Sequence, residues 1–515
     1  MQLTRTGLIW MCMVTAVSAQ TPVTNANGAK VFHRAISLQE CLEMGLRHNF
    51  QIKIERFNPK IALENLKSSD TIYDPFLSLM YGRDVSTTPR QATTFLPAGM
   101  ELPSRTDYND TISAGIKGKG PYGFTYSLPF TFGLTDSTRF VDSLGRPFSQ
   151  YSGQFTLEMR QPLWKNAPID AERRTLLVNR KMLKISELGL RQRIIDVITE
   201  IRRNYFELIF ARENVKVQEK AVALAEQLLK ENTIRLNAGV MTPLDVKQAE
   251  SQLAMTKADL LAAQQALATQ ELMLKNLVVD DLAEWEKMIL VPVETLVAVA
   301  EAFDVQESWR IGLVSRPDLA QLRLDIERRD IDLKYYKNQT KPDLSLVGRY
   351  GQRTITSGGE KAFTDLFLNR YENHYYGVEL NFPIGNRAAK HQWMASREAR
   401  QQAELMLQKS QQDIMVEIQN AIAVVRSSFE RVEATRIARQ AAELALSVAE
   451  QRARAGVADR AGVSPTIVVL QAQRDLTTAS AQEIRALADY NKAINEVYRA
   501  EGTTLERLKL DLDFK

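Results

Sequence analysis

The sequence predicts a mainly helical chain with a minority of β-strand, folded as two tandem copies of one unit whose longest parts are antiparallel coiled-coil hairpins. Three observations predict it. No proline occurs between Pro168 and Pro243, nor between Pro383 and Pro465, and proline is the residue that removes a helix hydrogen bond and clashes with the preceding turn. Within the first gap Leu176, Leu183, Leu190 and Val197 recur every seven residues, and after a four-residue step Ile201, Leu208, Val215, Val222, Leu229 and Leu236 do so again. A sustained heptad is a coiled-coil seam, and the single step is a stutter that locally unwinds it. Finally, sliding the chain on itself by 267 aligns residues 38–82 with 305–349 without a gap, with eleven identities where chance gives about three.

In chain order, residues 1–19 come first: Arg5, an apolar run from Gly7 to Val17, then Ser18-Ala19. This is the pattern of a secretory signal peptide, too short to span a membrane as a helix, the other reading being an apolar N-terminal helix. Cleavage after Ala19 leaves Cys41 as the sole thiol, which cannot form an internal disulfide. The first repeat, 37–280, opens with an amphipathic helix and a β-like region. There Gly153, Phe155, Leu157 and Met159 alternate with Gln154, Thr156, Glu158 and Arg160. An insertion of residues 88–150, rich in Gly, Pro, Ser and Thr, lies between the expected pair of strands. Its two strand-like runs, Thr111 to Lys119 and Gly123 to Gly133, either extend the hairpin outside a membrane or form a small cap.

A helix follows over about 168–237, roughly 105 Å long at 1.5 Å per residue. It ends at Asn237-Ala238-Gly239-Val240-Met241-Thr242-Pro243, which offers a glycine for a left-handed C-cap, a threonine N-cap and a proline at the first position of the next helix. The return helix runs from Leu244 to about Val279 with Leu253, Leu260, Leu267 and Leu274 in register. After a linker, 281–304, the second repeat, 305–502, has the same plan. Leu344, Leu346 and Tyr350 oppose Ser345, Arg349 and Arg353, while Tyr376, Val378, Leu380 and Phe382 oppose Glu379 and Asn381. A helix over about 387–455, a turn around Gly456 and Gly462, and a return from Pro465 to Ala500 complete it, leaving the tail 503–515. Strands apolar on one face and charged on the other suit either a barrel in lipid or a soluble sandwich.

Composition closes off other classes. Lys and Arg number 66 against 62 Asp and Glu, a net charge of +4 that gives no footprint of a nucleic-acid binder. Two cysteines and four unclustered histidines argue against a zinc site or a disulfide framework. No nucleophile with a base and no phosphate loop is present, Gly118-Lys119-Gly120 being a strand-turn cue; neither a cofactor nor an enzymatic reaction is expected.

This order of segments resembles the TolC family of outer-membrane efflux proteins over roughly residues 37–505. The resemblance is carried by Ser37-Leu38-Gln39-Glu40-Cys41-Leu42 with Gly45-Leu46-Arg47-His48-Asn49, by the strand exits Gln161-Pro162-Leu163 and Phe382-Pro383-Ile384, and by the turn from Ala238 to Val246 running into Gln248-Ala249-Glu250. It implies a homotrimer. Each protomer gives four strands to a twelve-stranded transmembrane β-barrel in outer-membrane lipid and its coiled-coil helices to a helical barrel in the periplasm. It also implies a passive exit duct for efflux or type I secretion, opened by a periplasmic adaptor protein and energised by an inner-membrane pump. Four strands cannot close a barrel alone, and an open edge is intolerable in lipid. A structural or adhesive coiled-coil protein of the envelope is the other reading; it explains the helices but not the duplicated strands.

The resemblance places the adaptor contact at the two turns, Gly239, Val240, Thr242 and Pro243 in the first and Gly456, Gly462 and Ser464 in the second. Asp245 falls where the family has an aspartate that helps hold the entrance shut, and Arg460 is its nearest candidate partner, giving a breakable charged latch. The plainer reading is that Asp245 complements a helix dipole. The second turn departs from the family pattern, being six residues longer with Ala-Gly-Val repeated and with Ile467, Val468 and Gln471 where acidic residues are common. Glu158, Arg160, Arg349 and Glu379 are expected to face the barrel lumen, or else a solvated strand face.

Overall fold

A computed structural model describes residues 22–24, 30–88, 105–141, 147–239, 241–285, 288–368, 371–455 and 464–508. The expected signal peptide, the tail from 509 onward and part of the 88–150 insertion lie outside them. Two compact units emerge, one of Met1–Arg56, Leu190–Pro317 and Gln411–Lys515, the other of Phe57–Gly189 and Asp318–Ser410. Each draws on both sequence repeats.

The first unit holds β1 (Pro22–Thr24), β2 (Lys30–Ile36), α1 (Leu38–His48) and α2 (Phe50–Glu55). Helix α3 (Phe57–Asp70) belongs to the second unit, as do β3 (Phe76–Thr88), β4 (Arg105–Lys119), β5 (Thr125–Val141) and β6 (Pro147–Pro162). The long helix α4 (Ala171–Asn237) follows, then α5 (Pro243–Val278), α6 (Leu282–Trp285), β7 (Met288–Pro292) and α7 (Val305–Ser315). Next come α8 (Pro317–Gln339), β8 (Asp343–Thr356), α9 (Gly359–Phe367), β9 (Glu372–Asn381), α10 (Arg387–Arg454), α11 (Pro465–Glu501) and α12 (Thr504–Arg507). The four long helices expected from the proline gaps are all present, at 67, 36, 68 and 37 residues.

In the first unit the heptad seam becomes the core. Leu190, Val197, Ile201, Leu208 and Val215 of α4 are buried, with Leu274 of α5 beside them. Ser37 caps α1 by accepting from the Glu40 amide, and Asn49, whose side chain donates to Leu277 O at 2.9 Å, ends it. Gly45 exists for close approach, since a Cβ there would stand 2.2 Å from Ile201 Cδ1. In the second copy Gly312 of α7 does the same against Ile418 of α10, at 2.6 Å. The segment 281–304, expected as a linker, contains α6 and β7, and β7 pairs in parallel with β2 from Phe32↔Met288 to Ile36↔Pro292.

The second unit holds more strands than the four per protomer that the resemblance implies for a barrel. One antiparallel sheet of six strands runs β3-β4-β5-β6-β8-β9, so the first copy supplies four strands and the second two. Both strand-like runs of the insertion lie inside the sheet, neither extending a hairpin nor capping it. β4 pairs with β3 from Thr88↔Arg105 to Phe76↔Lys117 and with β5 from Asp107↔Ser137 to Lys119↔Thr125. The β5–β6 ladder skips beside Pro129, which has no amide hydrogen to offer.

Beneath the sheet, the strand exits turn through Asn166 (φ 65°) and, in the second copy, Gly385 (φ 82°) and Asn386 (φ 42°). Asparagine and glycine are the residues that tolerate this left-handed backbone. Asn338 of α8 holds the first exit, donating to Trp164 O and accepting from the Asn166 amide, while Asn386 donates to Thr340 O.

Candidate functional site

Two places concentrate polar chemistry: one face of the six-stranded sheet and the turns between long helices. Pairing assigns the sheet faces. Leu79 lies opposite Ala114, Ala114 opposite Phe130 and Phe130 opposite Phe155, giving a continuous apolar row on one face. One residue along, Ser113, Thr131, Gln154 and Arg353 form a row on the other. The apolar face is left open: Leu77, Leu79, Ile112, Leu346, Tyr376, Val378 and Leu380 are all exposed, Tyr376 by 84%. Helix α9 covers part of it, with Ala362 and Leu366 buried beside the space above Gly153 and Phe363 edge-on to Phe130.

The four residues expected to line a lumen share the polar face and meet there. Arg349 of β8 stands opposite Glu158 of β6, with Nη2 to Oε1 3.4 Å, and its guanidinium lies 5.4 Å from the Tyr375 ring centre. Arg160 reaches Glu379 at 3.1 Å and Asp343 at 3.2 Å. Each of the three ion pairs joins the first sequence copy to the second, whereas the contact of Arg349 with Tyr375 stays within the second. Asp343 and Tyr375 are additions to the expected set. Asp343 was legible, because it has the same strand parity as Ser345 and Arg349. A cavity of about 520 Å³ borders this network, lined among others by Lys119, Arg160, Lys165, Glu172 and Asp343.

At the first turn Gly239 takes φ 77° and its amide donates to Leu236 O, as a helix-ending glycine should. Thr242 caps α5 and Pro243 occupies its first turn. Asp245 completes a capping box: the Thr242 hydroxyl and amide donate to Oδ2 at 2.6 and 3.3 Å, and the Asp245 amide donates to the Thr242 oxygen. Its other oxygen, Oδ1, accepts from the Ser464 hydroxyl at 2.6 Å, and Ser464 is the N-cap of α11. The buried carboxylate would be pushed up by desolvation, but the bonds from Ser464 and Thr242 outweigh that and hold its pKa below the ordinary value. Val240, Gly456, Arg460 and Gly462 lie outside the described residues. A second tie was not expected from the sequence: Arg235, in the last turn of α4, donates to Ala453 O near the end of α10 at 3.0 Å, satisfying a terminal carbonyl.

Among the described residues no three His, Cys, Asp or Glu side chains converge as a metal site would require, and no helix is long and apolar enough to cross a membrane. Cys41 is buried in the first unit, where desolvation and the nearby Glu40 and Glu294 push its thiol up to about 12.

A family model described as outer membrane efflux protein matches residues 132–278 and 312–503. Solved structures share the fold. The outer-membrane channel OprN superposes with a TM-score of 0.66 at 16% identity over 90% of each chain. VceC of Vibrio cholerae gives 0.63 at 17% identity, over 90% of this chain and 96% of that one. The CmeC outer membrane channel of Campylobacter jejuni gives 0.64 at 15% identity, over 92% and 90%. No curated protein matches the chain.

Proposed function

Since the chain belongs to the outer membrane efflux protein family and so resides in the outer membrane, we propose that it is the exit duct of a tripartite efflux or type I secretion system. In this reading three copies join their sheets into a barrel, and their helices continue the duct into the periplasm. A periplasmic adaptor engages the helical turns at Gly239, Thr242, Pro243 and Ser464, and an inner-membrane pump supplies the energy. The duct itself is passive, catalysing no reaction and using no cofactor.

One observation carries the proposal: a single antiparallel sheet has an open apolar face and a charged opposite face, with two edges that, among the described residues, pair with no further strand. Water as the sole surrounding would penalise the apolar face, and lipid would penalise the edges unless other copies paired with them. The bond between Asp245 and Ser464 supports a second element of the reading, that the two turns are held together by a contact an adaptor can compete away. The test is extraction and reconstitution. The protein should leave outer membranes only with detergent, size as three copies and conduct ions in planar bilayers. A product that sediments as a soluble monomer sinks the duct.

A further inference from the structure

We propose that the β4–β5 hairpin is a structural part of the barrel wall, so that three copies close an eighteen-stranded barrel rather than one of twelve. The inference rests on the reading of the chain as a three-copy duct and concerns its bore.

The pairing leaves little choice. Among the described residues β3 is joined to the rest of the sheet only through β4 and β5, with register pairs from Phe76↔Lys117 to Thr88↔Arg105 on one side of β4 and from Asp107↔Ser137 to Lys119↔Thr125 on the other. If the hairpin stood outside the wall, β3 would have to leave β4 and find a new partner. The hairpin also has the length and faces of a wall. β4 has 15 residues and β5 has 17, against the ~9–11 that a tilted strand needs to cross the hydrocarbon core. Its apolar side (Ile112, Ala114, Ile116, Leu128, Phe130, Phe132) lies on the face that carries Leu79 of β3 and Phe155 of β6, and its polar side (Ser113, Lys117, Ser127, Thr131) on that of Glu158.

Closure is consistent with six strands per copy. An even number of antiparallel strands leaves the outer pair, β3 and β9, running in opposite directions. The β9 edge of one copy then pairs antiparallel with the β3 edge of the next, and a head-to-tail ring of three times six strands has no free edge. At a spacing of about 4.8 Å and a tilt of about 40°, twelve strands enclose a backbone radius of about 12 Å and eighteen about 18 Å. The enclosed cross-section therefore roughly doubles.

Single-particle imaging of the detergent-extracted full chain tests this by direct count. Eighteen strands in the ring, with β4 and β5 between β3 and β6, is the expected result; twelve with the hairpin outside the wall overturns it. A monomer with no ring removes the duct reading and this inference with it. A variant lacking residues 105–141 provides a second measurement, because removing two strands keeps β3 and β6 antiparallel. Its trimer should show twelve strands and about half the enclosed cross-section, and a ring of unchanged width overturns the proposal. If that variant does not assemble, the wild-type count decides alone.

Discussion

The two sequence copies agree where helices are positioned and differ where the molecule meets something else. Each opens with a short helix carrying a contact glycine, Gly45 in one and Gly312 in the other, pressed on an isoleucine of the long helix that follows. Each strand exit turns through an asparagine at positive φ, and each return helix begins with a hydroxyl cap followed by proline. Yet the first copy has four strands in the sheet and the second has two, with the amphipathic helix α9 between them. The first return helix has a full capping box, the second a single bond from Thr466 N to Ser464 Oγ. Duplication thus fixes the close helix contacts, where an added methyl would have to displace a buried isoleucine, while strand number and turn construction vary.

Breaking the shared feature should have the largest effect. Gly45→Ala places a methyl 2.2 Å from Ile201 Cδ1 and Gly312→Ala one 2.6 Å from Ile418 Cδ1, and both isoleucines are fully buried. Overpacking of this kind costs roughly 1–3 kcal/mol. Thermal unfolding in detergent should fall for both, more for Gly45→Ala. Adding Ile201→Val, which removes the offending Cδ1, should recover part of the loss for Gly45→Ala and none for Gly312→Ala. Recovery in both would mean the two contacts are not independent.

The turns come next. Asp245→Ala removes a capping box and the bond to Ser464, and Ser464→Ala removes a simple cap with the same bond. Cap losses are worth about 1 kcal/mol, so the first should loosen its turn more, read as faster amide exchange at residues 242–246 than at 464–468. If the bond also restrains the entrance, both variants should raise single-channel conductance. A depressed carboxylate contributes its stability above its ordinary pKa of 3.8 and loses it as pH falls through the lower folded value. Acidification through that lower folded value, and so to a pH below 3.8, should therefore reproduce the Asp245→Ala behaviour in the wild type and change nothing further at this turn in the variant.

Cys41 tests the rigidity of the first copy with no mutation. Burial pushes its thiol up to about 12 from 9.0, so the thiolate that reacts with alkylating reagents is scarce at pH 8. Iodoacetamide should label it only after denaturation; labelling of the native protein would show that α1 detaches. For an acid with raised pKa, stability is lost as pH rises above 9.0.

Local pattern made the long helices and strand faces readable. The proline gaps located α4 and α10 to within about three residues, and strand parity placed Glu158, Arg160, Arg349 and Glu379 on one face because the side-chain period of two is a property of each strand alone. Partner choice was not readable. Alternation in Thr111–Lys119 and Gly123–Gly133 identifies strands without saying that they sit between β3 and β6, and nothing near Met288 announces a partner at Phe32. The bond from Ser464 to Asp245 is illegible for a related reason: a carboxylate at a turn suggests a charged partner, whereas two hydroxyls already satisfy this one.

The smallest effect is expected where the copies meet on the polar sheet face. Glu158 and Arg349 come from different copies, are about half exposed and stand 3.4 Å apart. Exposed pairs of this kind contribute about 0–1 kcal/mol, so neither single charge removal should move the unfolding temperature appreciably. Selectivity is a separate quantity. Arg349→Glu changes the charge by two per protomer, which, if this face lines the proposed duct, shifts the local ion population. Reversal potentials in a salt gradient should move toward cation preference. The exchange Glu158→Arg with Arg349→Glu keeps the sum of charges and moves only their positions, so it should return most of that shift. Arg349 also lies over Tyr375, a contact that the exchanged arginine on β6 would not inherit, so a small residual difference is expected. If the exchange leaves the full shift in place, selectivity is set by the position of each charge on its own strand rather than by the pair that joins the two copies.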